Sequence, residues 1–565
     1  MATAKLVIAQ KNIGSTNVAV KNQKNINLLR FEARNTTAQD ILLTKFIFSA
    51  LAGSLNNGQN YMLWVDTDKS GNVDTILQKA VSPIAGKITF SQITGGGYVV
   101  PAGQDVLFEA HSDVAPSLTN DSLQLQFSTA DTYVEAESPV NNGQALAGIR
   151  TNGVCPQSTC DTTVTTVSSM LWTLVSQGNL FVSQDTTPVR SRQSLGGALG
   201  DAILRLSFGA WYEDIDVTDI QFSQLNGTTT RSLDRLDLYK EGATTPFGTA
   251  TIGGCGSDIT PPQTLCVKMQ ARQLIIPQGS NVKVLVRPRM KDDVNGAVSG
   301  DPIQIFLAST AVANNTTGEG AVRARGDMSS NALIANNGNA TADGEIFIGR
   351  TAPASTNQQI TGLPNVTVLS RISSISNANP DPNGSAVPVG IADVGQFKFS
   401  AAAHGNSKNG LNKVVLNYLY FNVNAVNVVL DGATMKFYNK ANGTVTTACS
   451  PMLSNGTLLS GSITEDAFIV KCGGLTSTAV NTTIDQGTDQ TFVLQMNITN
   501  PKESAISTSA LQVSLINFDS IALTALGPSA AESHFEWIDT DAGASTPLRW
   551  VEYPDTTVKS TGYQG

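Results

Sequence analysis

The residues whose types and spacing come nearest to a working chemical site lie in one short segment, DTDKSGNVD. Side chains that carry oxygen alternate along it around a glycine, and the candidate ligands are Asp66, Asp68, Ser70, Asn72 and Asp74. Hard cations such as calcium require several oxygen ligands around a sharply turned loop. The spacing therefore predicts a calcium site at these five residues, with calcium as the cofactor.

The same segment is similar to the DxDxDGxxD loops of EF-hand-like extracellular calcium sites. Ser70 stands in place of the third acid, and Leu77 occupies the position of the bidentate glutamate of an EF-hand. We therefore expect a shell completed by water or by a distant carboxylate. The alternative is an exposed acidic turn, since Asp, Ser, Gly and Asn favour turns in any case. Two shorter acidic stretches, which begin at Asp292 and Asp539, are predicted to be surface turns.

Catalytic chemistry has little raw material in this chain. The three histidines are His111, His404 and His534, and no Gly-x-Ser-x-Gly motif occurs, so neither a histidine-based triad nor a nucleophile elbow is predicted. The glycine runs lack the Lys-Ser/Thr of a phosphate-binding loop. The 45 acidic residues supply accidental carboxylate pairs, and none is marked as catalytic. We predict that the chain is not an enzyme.

The six cysteines fall as three close pairs along the sequence. Six cysteines allow 15 connectivities, and sequential clustering makes local pairing the simplest; the expected disulfides are Cys155 with Cys160, Cys255 with Cys266, and Cys449 with Cys472. Zinc is disfavoured because no Cys-x-x-Cys pair or neighbouring histidine offers four ligands. Oxidised pairs predict an extracellular location at the cell surface.

The composition limits the remaining classes. Only 14% of the 565 residues are charged, with 36 basic and 45 acidic residues, so the clustered cations that a nucleic-acid partner requires are not expected. No apolar run is long enough to predict a transmembrane segment. The first ten residues show no basic segment followed by an apolar one, so no signal peptide is recognised, and we expect an exported form to be a processed chain.

Internal repetition gives the fold class. A paired-strand pattern recurs from Phe31, from Phe208 and, more weakly, from Phe399, and each copy is followed by a glycine turn that leads into an alternating strand. Apolar residues alternate with polar ones and helical periodicity is absent. We predict an all-β chain of tandem antiparallel, immunoglobulin-like β-sandwich modules. The expected limits are 1–176, 177–343 and 344–565, with a loop-rich insertion near 351–394.

The five tryptophans have two interpretations. They either form an exposed platform for a glycan or pack in the cores; they are Trp64, Trp172, Trp211, Trp537 and Trp550. Trp64 alternates with an apolar residue in a predicted strand, which favours core packing there. The aromatic-rich segments around Trp537 and Trp550 are candidates for contact with a neighbouring subunit.

Three segments of the second predicted module carry a resemblance. They are Leu204–Leu206, Asp234–Lys240 and Val286–Lys291, and with them most of the chain resembles large uncharacterised secreted, surface-layer-like proteins of candidate-phyla (ultrasmall) bacteria. The resemblance implies a surface-layer or cell-envelope role. It supplies no catalytic motif, so no functional residue is carried over.

Repeated modules, local disulfides and a calcium loop together predict a structural cell-surface protein. We expect self-assembly into a surface layer (S-layer) or envelope lattice, a homo-oligomer with itself as the main partner. An envelope polysaccharide or another surface protein is a further candidate partner. The alternative is an adhesin or attachment fibre that binds a glycan or protein on another cell. A secreted hydrolase would need a catalytic cleft for which the repeats leave no room.

Overall fold

The computed structural model describes residues 6–11, 17–127, 134–137, 167–225, 231–255, 265–309, 321–333, 343–350, 357–410, 412–515, 535–540, 545–552 and 557–565. Regular structure in these residues is β-strand, joined by turns and short 3₁₀ helices. The 3₁₀ helices are Leu55–Asn57, Thr94–Gly96, Lys408–Gly410, Lys440–Asn442 and Leu475–Ser477. Over this part of the chain, no helix has the length and apolar character needed to cross a bilayer.

The first sandwich contains twelve of the described strands. They are β1 Leu6–Lys11, β2 Val18–Val20, β3 Ile26–Asn35, β4 Ile41–Gly53, β5 Gly58–Val65, β6 Thr75–Val81, β7 Lys87–Phe90, β8 Tyr98–Val100, β9 Asp105–Val114, β10 Ser122–Phe127, β11 Val134–Glu137 and β12 Trp172–Val175. One sheet has the order β1-β3-β9-β5-β6, and the other is built around β4.

The second sandwich follows. Its described strands are β13 Asn179–Gln184, β14 Gln193–Leu195, β15 Leu204–Trp211, β16 Ile215–Gln224, β17 Leu233–Lys240, β18 Gly248–Ile252, β19 Leu265–Lys268, β20 Ile275–Ile276, β21 Asn281–Met290, β22 Pro302–Ile303, β23 Ile305–Leu307, β24 Val322–Gly326, β25 Ile346–Ile348 and β26 Ile360–Thr361. Its two sheets are joined edge to edge by the pairing of β18 with β19.

The third sandwich holds the remaining strands. They are β27 Asn365–Val368, β28 Ser370–Asn377, β29 Gly390–Ala403, β30 Lys413–Val426, β31 Val429–Asn439, β32 Thr446–Ala448, β33 Ser450–Met452, β34 Ser462–Ile463, β35 Ala467–Cys472, β36 Thr483–Ile484, β37 Asp489–Asn500, β38 Ala510–Leu515, β39 Glu536–Thr540, β40 Ser545–Leu548, β41 Val558–Lys559 and β42 Tyr563–Gln564. Its sheets are built around β37 and β30.

All three sandwiches share one topology, which confirms the predicted tandem β-sandwich fold. The first sheet runs β1-β3-β9-β5-β6, then β13-β15-β21-β17-β18, then β28-β29-β37-β31-β32. In the second sheet a long strand, β4, β16 or β30, pairs antiparallel with four strands in the same sequential places. These are β7, β8, β10 and β11; β19, β20, β23 and β24; and β35, β36, β38 and β39.

Each sandwich encloses its own hydrophobic core. Strand β3 shows why: its alternate residues Leu29, Phe31 and Ala33 are fully buried, as a half-buried strand requires. Phe31 stacks on Phe108 of β9 at 5.4 Å between ring centroids. The first core reaches from Leu6 to Leu174, the second from Leu180 to Ile360 and the third from Val366 to Tyr563. Three separate cores fit the size at which a single core stops growing.

The structure places one short strand differently from the expected module limits. With a third module expected to begin at residue 344, Ile346–Ile348 would open it, but this segment forms β25, which pairs parallel with β13 of the second sandwich. The place equivalent to β1 and β13 is taken in the third sandwich by β28, inside the segment 351–394 that was expected to be loop-rich. Asn365–Val368, in the same segment, also forms a strand, β27, which pairs with β14 and β22. The predicted module limits themselves stay predictions.

Candidate functional site

The acidic segment connects two neighbouring strands of the first sandwich. Val65 ends β5, Thr75 begins β6, and these two residues are paired across the hairpin. The Asp74 amide donates a hydrogen bond to the Val65 carbonyl at 3.0 Å, which closes the loop. Within it Gly71 has φ +87°, a left-handed conformation that glycine adopts at little cost. The turn residues of the sequence thus form a tight, outward loop.

Three of the five predicted ligands gather their carboxylates in this loop. One oxygen each from Asp66, Asp68 and Asp74 lies within 4.8 Å of the others. Asp66 is buried, and its oxygens accept hydrogen bonds from the amides of Ser70 at 3.2 Å and Gly71 at 2.8 Å. Asp68 also accepts from the Ser70 amide, at 2.9 Å. Such spacing lets three carboxylates share one divalent cation.

The two outer carboxylates stay ionised at neutral pH. Hydrogen bonds from the hydroxyls of Thr75 and Thr67 lower the pKa of Asp74 to about 2. Hydrogen bonds with Ser70 lower the pKa of Asp68 below its ordinary value. Both side chains are exposed, so the loop presents negative charge to solvent.

The other two predicted ligands, Ser70 and Asn72, lie in the same loop on its exposed side. The Ser70 hydroxyl is 3.3 Å from both the amide nitrogen and the carbonyl oxygen of Asn72. Serine hydroxyls and backbone carbonyls are ordinary calcium ligands. Four of the five predicted ligands, Asp66, Asp68, Ser70 and Asp74, therefore lie close together in the loop. Asn72 contacts Ser70 through its backbone atoms.

A polar network beneath the loop was not predicted from the sequence. The Arg30 guanidinium donates to the Gly71 carbonyl and pairs with Glu109 at 3.2 Å. Glu109 in turn contacts the His111 ring at 2.7 Å. Beside the network lies a cavity of about 370 Å³ lined by Lys11, Arg30, Glu32, Asp66, Lys69, Gly71, Asp105 and Leu107. The signal in the sequence that could have indicated this network was the alternation of polar residues along β3 and β9, whose polar side chains lie on this outer face.

The cysteines confirm two of the three predicted disulfides. Cys255 is bonded to Cys266, and Cys449 to Cys472. The two occupy similar places: Cys255 and Cys449 come shortly after β18 and β32, which lie at the ends of the first-sheet orders, and Cys266 and Cys472 lie in β19 and β35, which pair with the long strand of the second sheet. Cys155 and Cys160 lie outside the described residues.

The tryptophans divide between the two interpretations. Trp537 is fully buried, and its indole nitrogen donates to the Trp550 carbonyl at 2.9 Å; Trp550 is buried as well. Trp172 is half-buried and packs against the first core. Trp64 is half-buried on the other face of β5, with its ring 5.5 Å from that of His111, so the core packing expected for it is not found. Trp211, at the end of β15, is 38% exposed. All five tryptophans lie in the described residues, and Trp211 is the one with an exposed side chain.

The two shorter acidic stretches were predicted to be surface turns, but their leading aspartates are buried. Asp292 and Asp293 are buried at a turn of the second sandwich and bond Asn406 and Lys408 of the third. Asp539 is fully buried in β39. Sequence alone could not separate these cases, because the same residue types make exposed turns and buried hydrogen-bonded junctions.

Asp539 joins the second and third sandwiches. One of its oxygens accepts from the Ser299 hydroxyl at 2.5 Å and the Leu369 amide at 2.7 Å. The other accepts from the amide and hydroxyl of Ser370 at 2.8 and 2.6 Å. Burial outweighs these bonds and raises its pKa to about 6.

A buried ionic contact continues the same junction. Glu552 accepts from Arg192 of the second sandwich at 2.9 Å and from the Gln193 amide at 2.9 Å. Arg371 of the third lies 3.3 Å away. The neighbouring strands β14 and β27 pair in parallel, so backbone hydrogen bonds cross between the two sandwiches.

Comparison with known proteins identifies no family. No protein-family model and no curated protein matches the chain. Solved structures give weak likenesses. One is the C-terminal domain of the Streptococcus agalactiae AgI/II polypeptide BspA, at 7% identity and TM-score 0.16, over 68% of this chain and 99% of that one.

Two further solved structures span nearly the whole chain. A putative membrane anchored protein from Corynebacterium diphtheriae matches at 10% identity and TM-score 0.16, over 99% of this chain and 90% of that one. Titin domains A168–A170 match at 8% identity and TM-score 0.18, over 99% and 98%. At these TM-scores the likenesses carry no argument about fold or function. The conclusions about the fold and the function rest on the sequence and the geometry.

Proposed function

We propose that this chain is a secreted structural protein of a cell surface, whose three sandwiches act as rigid spacers in a self-assembled surface layer or envelope lattice. The observation that carries the proposal is the single topology repeated three times, each copy around its own core. Repeating assemblies need interfaces at fixed angles. The paired and hydrogen-bonded junction between the second and third sandwiches supports such a fixed angle.

An extracellular location is part of the proposal. One disulfide connects the two sheets of the second sandwich, and another connects those of the third. Disulfides persist in oxidising compartments and are rare in reducing ones. The scarcity of charged side chains, 14% of the sequence, agrees with a surface of Thr, Asn, Ser and Gln. No catalytic role is proposed.

Calcium is the proposed cofactor, held by Asp66, Asp68 and Asp74 with oxygens of Ser70 and Asn72. Three carboxylates packed within 4.8 Å repel one another, and a divalent cation would remove that repulsion. Calcium would thereby stiffen the tip of the β5–β6 hairpin. Sites in extracellular modules bind calcium with Kd on the order of 10⁻⁴ to 10⁻³ M, and we expect a value in that range.

Electron microscopy of the purified protein tests the proposal. With millimolar calcium we expect ordered sheets, and with a chelator we expect them to disperse while the circular dichroism of the sandwiches is unchanged. Sheets that are indifferent to the chelator would remove calcium from the proposal. Dispersed monomers or thin filaments under both conditions would contradict the lattice and support the alternative, an adhesin or attachment fibre.

A variant separates the loop from other effects of calcium. Asp68→Asn removes one exposed carboxylate and should weaken calcium binding at least tenfold by calorimetric titration. Asp121→Asn is the matched control, because Asp121 is exposed in the same sandwich and lies outside the loop. Equal affinities for the two variants would place any bound calcium elsewhere.

A further inference from the structure

A shallow trough lies on the outer face of the second sandwich, away from the acidic loop and the junction. It crosses three adjacent strands, β13, β15 and β21, and the turn before β21. It encloses about 240 Å³ and is lined by Phe181, Ser183, Ser207, Gly209, Ala210, Trp211, Gly279, Ser280 and Asn281. Drug-sized ligands fill pockets of roughly 300 to 1,000 Å³, so this space suits a single ring.

One end of the trough is an aromatic wall. Trp211 is 38% exposed, and its ring centroid lies 4.5 Å from that of Phe181. Phe181 is stacked on the fully buried Phe347 at 4.6 Å, and the Arg350 guanidinium lies 4.3 Å from the Phe347 centroid. This backing holds the indole in place. A rigid aromatic face therefore meets solvent with little conformational entropy left to lose on binding.

The floor of the trough exists because position 209 is glycine. Strand register sets Gly209 between Phe181 on β13 and Asn281 on β21. A Cβ at this position would come within 2.6 Å of the Asn281 amide oxygen. Residues 207, 209 and 211 share one face of β15 by the period of two, so the missing side chain leaves a gap directly beside Trp211.

The remaining lining groups are neutral hydrogen-bonding side chains. Ser183 and Ser207 face each other across β13 and β15, and Ser280 with Asn281 stands on the opposite side. Hydroxyls and an amide both donate and accept hydrogen bonds. In the described part of the chain, the indole nitrogen of Trp211 has no protein acceptor.

Charged groups begin only beyond the trough, and they are paired with one another. Lys283 is the β21 residue opposite Ser207, and it lies 3.4 Å from Asp185. Arg205 bonds the same carboxylate at 2.9 Å. Among the described residues no charged side chain lines the trough itself. The space therefore favours a neutral ligand over a phosphate, a uronate or a cation.

We propose that this trough is a binding subsite for one neutral pyranose ring of a glycan. A pyranose has an apolar face of C–H groups, which would stack on Trp211, and an edge of hydroxyls, which would bond Ser183, Ser207 and Asn281. A proline-rich peptide is disfavoured, because polyproline grooves are lined by aromatic rings, whereas this trough has one exposed ring and small polar neighbours. A saccharide of the cell surface would thus hold the second sandwich.

The subsite does not depend on lattice formation or on calcium, so its test is separate from theirs. The probes are methyl glycosides of glucose, galactose and N-acetylglucosamine, and their β-linked tetramers, added to the full chain in chelator. Binding is followed by saturation-transfer NMR and calorimetry. We expect millimolar affinity for at least one neutral ring, insensitive to salt because no charge lines the trough.

Three variants decide the assignment. Trp211→Ala should weaken binding at least tenfold, and Trp211→Phe should lose less because an aromatic face remains. Gly209→Ala should also weaken binding at least tenfold by filling the floor. Ile252→Ala is the control, since Ile252 is exposed on β18 outside the trough, and it should bind like the wild type.

Several results would overturn the proposal. The first is no binding of any neutral glycoside by the wild type, and the second is full binding by Trp211→Ala. Salt-sensitive binding confined to anionic sugars would also contradict it. Displacement of the sugar by a proline-rich peptide of higher affinity would assign the trough to peptides instead.

Discussion

At the scale of single residues, Asp539 shows how a carboxylate that looks like a surface turn in the sequence becomes part of a junction. Its four hydrogen bonds reach Ser299, Leu369 and Ser370. Ser299 is 240 residues away in the chain, so no local pattern could have indicated the contact. Burial nevertheless makes the ionised form of the Asp539 side chain less stable in the protein than it would be in water.

This burial predicts a pH dependence of stability. The pKa of Asp539 is about 6 in the folded protein against 3.8 for an ordinary carboxyl. The stabilisation that the folded protein gains from holding Asp539 protonated is complete below pH 3.8 and is lost as pH rises through 6. One pKa unit corresponds to about 1.4 kcal/mol, so the loss is on the order of 3 kcal/mol. The free energy of unfolding, followed in urea, should therefore fall between pH 4.5 and pH 7 on account of this group.

Asp539→Asn isolates the effect from other titrating groups. The variant loses hydrogen-bond acceptors and is expected to be less stable by roughly 1 to 3 kcal/mol at pH 4.5. Its own curve lacks the Asp539 titration, so the difference between wild type and variant should shrink towards pH 7. A constant difference would show that folding leaves the pKa of Asp539 unchanged, and a difference that grows with pH would show that folding lowers it. The lowered pKa values of Asp185 and Asp292 act only at lower pH.

At the scale of elements, the pairing of β4 with β10 depends on one glycine. Gly53 ends β4 opposite Leu123, with a register shift two residues further along β10. Its φ is +74°, and a Cβ would lie 2.0 Å from the Ser122 carbonyl oxygen. A backbone atom cannot yield as a flexible side chain does. The strand end therefore tolerates only glycine.

Gly53→Ala should destabilise the first sandwich by about 3 kcal/mol or more, since steric overlap adds to the backbone strain. Gly86→Ala is the matched control, because Gly86 has φ +73° in the same sandwich but nothing within 4 Å of an added Cβ. It should cost only the strain, about 1 kcal/mol. Chemical denaturation of both variants measures the difference. Equal costs would mean that β10 moves aside freely.

The elements also show how far sequence reasoning reaches. The repeated text around Phe31, Phe208 and Phe399 placed β3, β15 and β29 correctly, because the period of two and the glycine turns are local signals. The strand Ile346–Ile348 was assigned to the wrong place, since a short apolar strand does not specify which sheet edge it joins. The loop Asp66–Asp74 was recognisable for the same local reason. Its supports Arg30 and Glu109 come from distant strands.

At the scale of the whole molecule, the two junctions differ. Between the second and third sandwiches, strand β14 pairs with β27, and Glu552 and Asp539 are buried with partners from both sides. Between the first and second sandwiches, no strand pairing occurs among the described residues. The chain there passes from β12 to β13 through Ser176–Gly178. Their thermodynamic coupling should differ accordingly.

Calorimetry should therefore resolve two transitions, one for the first sandwich and one shared by the second and third. Two bodies melt together when the interface between them is lost with either. Gly53→Ala should lower only the first transition. Three separate transitions in the wild type would contradict a coupled junction.

Glu552→Ala tests which contacts carry this coupling. Removing the carboxylate takes an acceptor from the Arg192 and Arg371 guanidiniums, which are partly exposed, and from the buried Gln193 amide, so the loss should be roughly 1 to 3 kcal/mol. We expect the shared transition to fall and to split, because the junction opens before either core melts. Glu503→Ala, at an exposed glutamate of the third sandwich, should leave it unchanged. If Glu552→Ala lowered the transition without splitting it, the strand pairing of β14 with β27 would be sufficient to couple the two sandwiches.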